Sequence, residues 1–245
     1  MKIRVGCCGL AGLSLSKYAE LFDTIEINTT FYKLPRKETA ERWIESTKGK
    51  LVFCMKAFQA ITHPVTSPTW KRAGTQKPQS NFENYGHLKP TKENVEAWNK
   101  TLQICKALQA DLCVIQLPPS FICTDTAVND ASKFFKMIRR TVNIGVEFRH
   151  KSWIENIEST KKLIKNARLI HITDPLKETP VSNTPICYYR LHGLGKQLYK
   201  YNYTDDDLQK LKKLVFDIKC SNAYVMFNNL AMRDDALRFR EIIVK

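Results

Sequence analysis

Short apolar or β-branched runs recur along the chain at near-regular intervals: 3–7 (IRVGC), 24–28 (TIEIN), 51–55 (LVFCM) and 112–116 (LCVIQ). The series continues with 144–148 (IGVEF), 168–172 (RLIHI), 186–190 (ICYYR) and 223–227 (AYVMF). The runs are nearly continuous rather than strictly alternating, which predicts parallel strands covered on both faces. Helical spacing fills most of the intervals. RKETAERWIEST places Ala40, Trp43 and Ile44 on one side, and TDDDLQKLKKLVFDIK repeats Leu208, Leu211, Leu214, Val215 and Ile218. Thr204 with Asp207 reads as a capping pair, and the acidic run 205–207 suits the positive end of that helix. The thirteen residues between the sixth and seventh runs are rich in Pro and Thr and predict no regular helix.

Eight strands alternating with helices over 245 residues predict an α/β (β/α)8 TIM-type barrel, a single domain over 1–245. A doubly wound open sheet is the rival. The exception to the rhythm is residues 57–90, a long helix-poor loop expected over the barrel mouth. It carries Lys71, Arg72, Lys77 and Lys89 against Glu83, interleaved with Trp70, Phe82 and Tyr85. That mixture suits base stacking beside phosphates, or aromatic pins holding an ordered loop to the barrel.

Strand parity locates the candidate chemistry. Residues two apart share a face, and active sites of barrels lie at the strand carboxyl ends. Those ends carry Glu26 and Asn28, Lys56, Gln116, Glu147 and Arg149, Asp174, Arg190 and His192, and Asn228. Ile27, Phe148 and Leu191 intervene and predict outward packing under the helices. The Glu and Arg of VEFRH therefore face the mouth. Glu26, Glu147 and His192 are the candidate catalytic groups, the two carboxylates dividing acid and base work. Lys56, Arg149 and Arg190 would grip an anion, with Asn28, Tyr32, Gln116, Asp174 and Asn228 beside them. The HGLGK segment adds Gly193, Gly195 and Lys196 where barrels often bind phosphate. The same charges could instead form a salt-bridge plug. Schiff-base chemistry at Lys56 needs a depressed pKa, which neighbouring arginines could supply. His63, His87, His150 and His171 read as structural or loop residues.

Composition changes the picture in three places. A net charge of +15 raises a polyanionic partner, nucleic acid or phosphorylated metabolite, against a solvated lysine surface. The eight cysteines include no C-x-x-C pair, and Cys7, Cys54, Cys113 and Cys187 sit in apolar runs as small hydrophobes. No signal peptide or membrane-length apolar run is found, so a cytoplasmic location away from membranes is expected. No cofactor is expected. The alternative of a divalent metal on Glu147, Asp174 and His192 meets a mouth rich in repelling cations.

Seven ordered motifs then carry a resemblance: IEINTTFYKLP, KAFQAITHP, QLPPSF, VEFRHKSW, YYRLHG, LYKYNY and MFNN. Together they resemble the YecE-like family, also called domain of unknown function 72, over about residues 3–240. The resemblance implies a TIM-type barrel and no particular reaction. It implies site positions at Glu26, Asn28, Phe31, Tyr32, Lys56, Gln116, Glu147, Arg149, His150, Trp153, Arg190, His192, Gly193 and Asn228. The opening departs from the family's Gly-Thr-Ser-Gly-Trp, reading Gly6-Cys7-Cys8-Gly9-Leu10 here, and Asp235-Ala236 stands where Asn-Ala is usual. Sugar isomerases and an apurinic endonuclease share such barrels as an analogy of fold alone. The leading expectation is an enzyme (hydrolase, lyase or isomerase) acting on a phosphorylated or polyanionic substrate. The alternatives are a non-catalytic nucleic-acid-binding protein and a protein-interaction scaffold.

Overall fold

A computed structural model describes residues 1–182, 184–195 and 197–244. The eight runs become eight parallel strands: β1 (Lys2–Cys7), β2 (Thr24–Ile27), β3 (Val52–Lys56), β4 (Leu112–Gln116), β5 (Asn143–Glu147), β6 (Ile170–His171), β7 (Ile186–Leu191) and β8 (Asn222–Phe227). Their order is β6-β5-β4-β3-β2-β1-β8-β7. β1 lies between β2 and β8, so the order never reverses at a switch point, and the open doubly wound alternative falls. A bridge from Thr173 to Tyr189 joins the outer strands, with Arg190 N–H donating to Thr173 O at 2.9 Å, and brings the sheet to near closure. The short β6 gives that seam few ladder bonds.

Helices α1 (Leu15–Leu21), α2 (Lys37–Thr47), α3 (Lys92–Ala107), α4 (Asp125–Met137), α5 (Ser152–Glu155), α6 (Ile157–Asn166), α7 (Asp205–Asp217) and α8 (Met232–Val244) surround the strands. On α2, Ala40 is buried and Trp43 and Ile44 pack against the core, as their spacing requires. At the start of α7, Thr204 Oγ1 accepts from Asp207 N at 3.2 Å and Asp207 Oδ2 accepts from Thr204 N at 2.9 Å. This is the predicted reciprocal cap, and it satisfies two backbone donors. Between β6 and β7 the described residues form no helix.

Strand parity separates two cores. Cys54, Leu112, Val114, Ile170, Ile172, Tyr188, Tyr224 and Met226 cluster inside the barrel. Val5, Ile25, Phe53, Ile115, Val146, Leu191 and Val225 cluster outside it, with Leu102, Phe134, Leu163, Leu211 and Phe239 of the helices. Ile27 and Leu191 join the outer core and Phe148 packs against it. Interior packing leaves no room for a side chain at Gly145. A Cβ at Gly145 would stand 2.5 Å from Ile172 Cδ1.

The 57–90 loop is ordered by short 3-10 turns and by pins. Trp70 is buried, donates from Nε1 to Pro64 O at 3.0 Å, and meets Phe58 edge-on. Gln76 exchanges two 2.9 Å hydrogen bonds with the backbone of Leu34. The Asn94 amide ties down Gly86 and Lys89. Trp70 therefore serves the pinned-loop reading, whereas Phe82 stays exposed. Among the described residues no helix is long and apolar enough to cross a membrane.

Candidate active site

The predicted strand ends converge, and they do so in two layers. In the lower layer Arg190, at 1% exposure, ties two buried carboxylates together. Its Nη2 donates to Glu26 Oε1 at 2.9 Å and its Nη1 bonds Glu147 Oε2, with Gln116 Oε1 at 2.8 Å beside it. Tyr188 OH donates to the remaining oxygen of Glu26 at 2.9 Å. Arg149 Nε sits 2.8 Å from Glu147 Oε1 as an ion pair, too bent for a hydrogen bond. Its Nη2 reaches Gln116 Oε1 at 3.3 Å. His192 Nδ1 lies 3.0 Å from Asn228 Nδ2 and its Nε2 3.0 Å from Glu147 Oε1. Arg149 Nη2 approaches the same Nε2 at 3.0 Å, so the ring is held among Asn228, Arg149 and Glu147.

The electrostatics follow from that pairing. Burial alone would push the Glu147 carboxyl up, but Arg149, Arg190 and His192 hold it well below its ordinary range. Burial works against the Arg190 guanidinium, yet Glu26 and Glu147 hold its proton more firmly than in water. Burial lowers His192 to about 4 despite the pull of Glu147, so the ring is neutral near pH 7. Glu26, Glu147 and His192 are the acid and base candidates of the sequence. Glu26 and Glu147 instead have their oxygens taken up by Arg190, Tyr188, Arg149 and His192.

The upper layer is a cavity of about 280 Å³ over that network, lined by Asn28, Phe31, Tyr32, Lys56, His63, Thr69, Gln116, Arg190, Tyr199 and Asn228. None of these is a carboxylate. Lys56 Nζ stands 4.1 Å over the face of Phe31. No described carboxylate lies within salt-bridge distance of it. Burial and the Arg190 charge lower its amine from 10.5 to about 7, only partly opposed by Glu26 and Glu147. His63, buried in contact with the edge of Phe31 and bonded through Nδ1 to Thr62 Oγ1 at 2.7 Å, falls to about 3 through burial and the nearby Lys56. The Asn28 amide donates to Cys8 O at 2.9 Å and leaves its own oxygen buried without a partner.

Other expectations need correction. Asp174 is buried beside the network but turns toward its own loop, accepting from Leu176 N at 3.1 Å with Lys177 Nζ at 3.7 Å. Burial raises it to about 6. Gly193 does not offer its N–H to a phosphate, because Tyr203 OH accepts it at 2.8 Å and Lys177 Nζ donates to its carbonyl at 2.6 Å. Its left-handed φ of 93°, with a Cβ position only 2.5 Å from Tyr201 Cβ, shows why glycine is required there. Gly195 is exposed near the Tyr201 ring, and Lys196 lies outside the described residues. Among the described residues no three His, Cys, Asp or Glu side chains are grouped to hold a metal ion, and Glu147, Asp174 and His192 do not assemble into one. The Glu147 oxygens already serve two guanidiniums and an imidazole.

Three cavity residues escaped the sequence reading. His63 and Thr69 come from the long loop and Tyr199 from the segment after β7, where no periodicity points a side chain. The KAFQAITHP and LYKYNY motifs contain His63 and Tyr199 and were the available signal. A larger cleft of about 1170 Å³ between α2 and α3 is lined by side chains of both signs, including Lys37, Glu41, Glu93 and Lys100. It holds none of the strand-end residues.

The family model described as protein of unknown function DUF72 matches residues 10–243. The UPF0759 protein YunF of Bacillus subtilis strain 168 is 23% identical over 253 residues, covering 91% of this chain and 82% of its own. The crystal structure of a DUF72 family protein from Enterococcus faecalis V583 matches with a TM-score of 0.73 at 18% identity, covering 100% of this chain and 98% of that one. A D-psicose 3-epimerase crystallised in the presence of D-fructose matches with a TM-score of 0.61 at 12% identity, over 99% and 98% of the two chains. At such identities the structural likeness carries the fold alone.

Proposed function

This chain belongs to the DUF72 family, and we propose that it is an enzyme whose barrel mouth binds a small phosphorylated or polyanionic substrate. One observation carries the reading: the mouth cavity is lined by Lys56 and Arg190, by three side-chain amides and by hydroxyls, and among the described residues by no carboxylate. An anion there meets charge and hydrogen-bond donors without like-charge repulsion. The volume suits one small molecule rather than a polymer strand. Glu26 and Glu147 act as anchors that hold Arg190 and Arg149 in place, a positioning role in place of the acid and base work expected of them. His192 and Asn228 complete that support. Proton transfer near neutral pH then belongs to the Lys56 amine, which is balanced between its two forms.

The test is thermal unfolding of the full chain with inorganic phosphate and with a panel of sugar phosphates, followed by NMR of the mixtures for turnover. Stabilisation and turnover that both vanish in Lys56→Gln support the reading. Absence of any stabilisation by these anions across pH 6–9 overturns it. The same samples, titrated with labelled single- and double-stranded oligonucleotides at two salt concentrations, examine the nucleic-acid alternative. Exposed Lys71, Arg72, Lys77 and Phe82 would serve such binding, while buried Trp70 could not stack on a base.

A further inference from the structure

We infer that Lys56 is a nucleophile that condenses with the carbonyl group of an anionic keto or aldehyde substrate to form an imine. The inference rests on the reading of the mouth as an anion site and names the reacting group of its substrate. Its ground is the placement of one amine. Lys56 ends β3 at the wall of the cavity, with its Nζ against the Phe31 ring rather than against an acid. A lysine kept for charge alone is ordinarily found with a carboxylate partner when it is withdrawn from water. Here two carboxylates are close by, but Arg190 and Arg149 occupy them. The network thus supplies positive charge beside the amine without a carboxylate contact that would keep it protonated. Desolvation next to another cation is the arrangement that leaves a lysine amine free to attack. The neutral fraction near pH 7 follows from the same two causes.

Tyr199 supplies the second observation. It lines the same cavity and has a left-handed φ of 71°, uncommon for a bulky residue. That conformation is held from both sides, by Tyr199 N–H donating to His192 O at 2.7 Å and by Leu230 N–H donating to Tyr199 O at 2.6 Å. Local strain of this kind persists where the surroundings over-determine it, and it is often found at working sites. The outcome is a phenol hydroxyl held over the cavity, with Arg149 Nη2 at 3.5 Å.

The step balances without an oxidant or reductant. The Nζ lone pair forms a bond to the carbonyl carbon as the C=O π pair moves to oxygen. One nitrogen proton passes to that oxygen, with the Tyr199 hydroxyl as the relay, and gives a carbinolamine. The nitrogen lone pair then forms the second C–N bond, the C–O bond breaks, and the hydroxyl leaves as water with the second nitrogen proton. Amine and carbonyl have become imine and water. The substrate's anionic group rests on the cations of the mouth, so a 2-oxo acid and a keto sugar phosphate are the two forms to separate.

The full chain is treated near neutral pH with sodium cyanoborohydride and either pyruvate or dihydroxyacetone phosphate, then read by intact mass and peptide mapping. One reduced adduct per chain on Lys56, at about tenfold the level of any surface lysine, is expected because surface amines stay protonated. Preference for one probe names the anionic group. Lys56→Arg, which keeps a cation at the site, should fold and give no such adduct, and Lys56→Met serves as a second variant. Labelling spread over surface lysines, or unchanged in Lys56→Arg, overturns the inference. Thermal shifts with the same probes and with inorganic phosphate separate the two failures. Stabilisation without adduct removes the imine and leaves the anion site standing, and neither effect removes both.

Discussion

Arg190 and Lys56 end strands of the same barrel and contribute to the same cavity, yet their surroundings are opposite. Arg190 has a carboxylate on each nitrogen fork and is almost fully enclosed. Lys56 is half-buried, rests on a phenyl ring and has no described acid in contact. The guanidinium suits the first place because its planar fork matches two carboxylates and never gives up its proton. The amine suits the second because a compact point charge on a flexible stem shifts its pKa readily when desolvated. The difference teaches that the barrel top separates charge used to build the site from charge left available to a ligand.

The strongest way to break the comparison is Arg190→Met. It leaves Glu26 and Glu147 buried with fewer counter-charges, and removing one partner of such a cluster costs about 3–5 kcal/mol. Urea unfolding should therefore show a large fall in midpoint. A loss below about 1 kcal/mol would mean that the carboxylates take up protons or partners easily and that the network is not the anchor described.

Glu147→Gln sharpens the contrast with a smaller effect, about 1–3 kcal/mol, because the amide keeps the shape and some hydrogen bonds. Its pH dependence is more telling. Glu147 is held well below the ordinary 4.5, so its stabilisation is present above that value and is lost as pH falls through the folded-state pKa. The variant should lose less stability on acidification than the wild type. Glu147 also raises the Lys56 pKa slightly, so the amine should titrate lower in the variant, readable by NMR of a labelled lysine Nζ. Titration at an unchanged pH would show that the two layers do not sense each other.

Much of this was legible in the chain. Near-continuous apolar runs gave the eight parallel strands, because both faces of each are covered. The alternation of Glu26 with Ile27, Phe148 with Glu147 and Arg149, and Leu191 with Arg190 and His192 identified which side chains enter the barrel. What parity does not encode is depth. It put Glu26, Lys56 and His192 on one face but could not say that the carboxylate and the imidazole lie under the amine. Nor could it say that the N–H of Gly193 is spent on Tyr203, a contact between residues ten apart in an irregular segment. His63, Thr69 and Tyr199 reach the cavity from loops, where no period couples sequence to direction. Chemistry borne by strands was readable, and chemistry borne by loops was not.

Lys56→Met is the smallest change and the most direct test of the comparison. At pH 7 the wild type carries an amine whose charged form is disfavoured by burial and by Arg190, while the unfolded chain protonates freely. The group's pKa falls from 10.5 unfolded to about 7 folded. Between those values the unfolded state binds the extra proton, so wild-type stability rises with pH across the window and is flat below it. Methionine removes the term and covers Phe31 with an apolar chain of similar length. The variant should match or exceed the wild type at pH 7, by on the order of 1 kcal/mol, and should fall below it toward pH 10 as the wild type gains stability. Urea midpoints at the two pH values read both quantities. If the variant is instead the weaker protein at pH 7 and the gap does not change with pH, Lys56 is held by an acid in solution. It would then belong with Arg190 among the charges that build the barrel, and the mouth would lose its free amine.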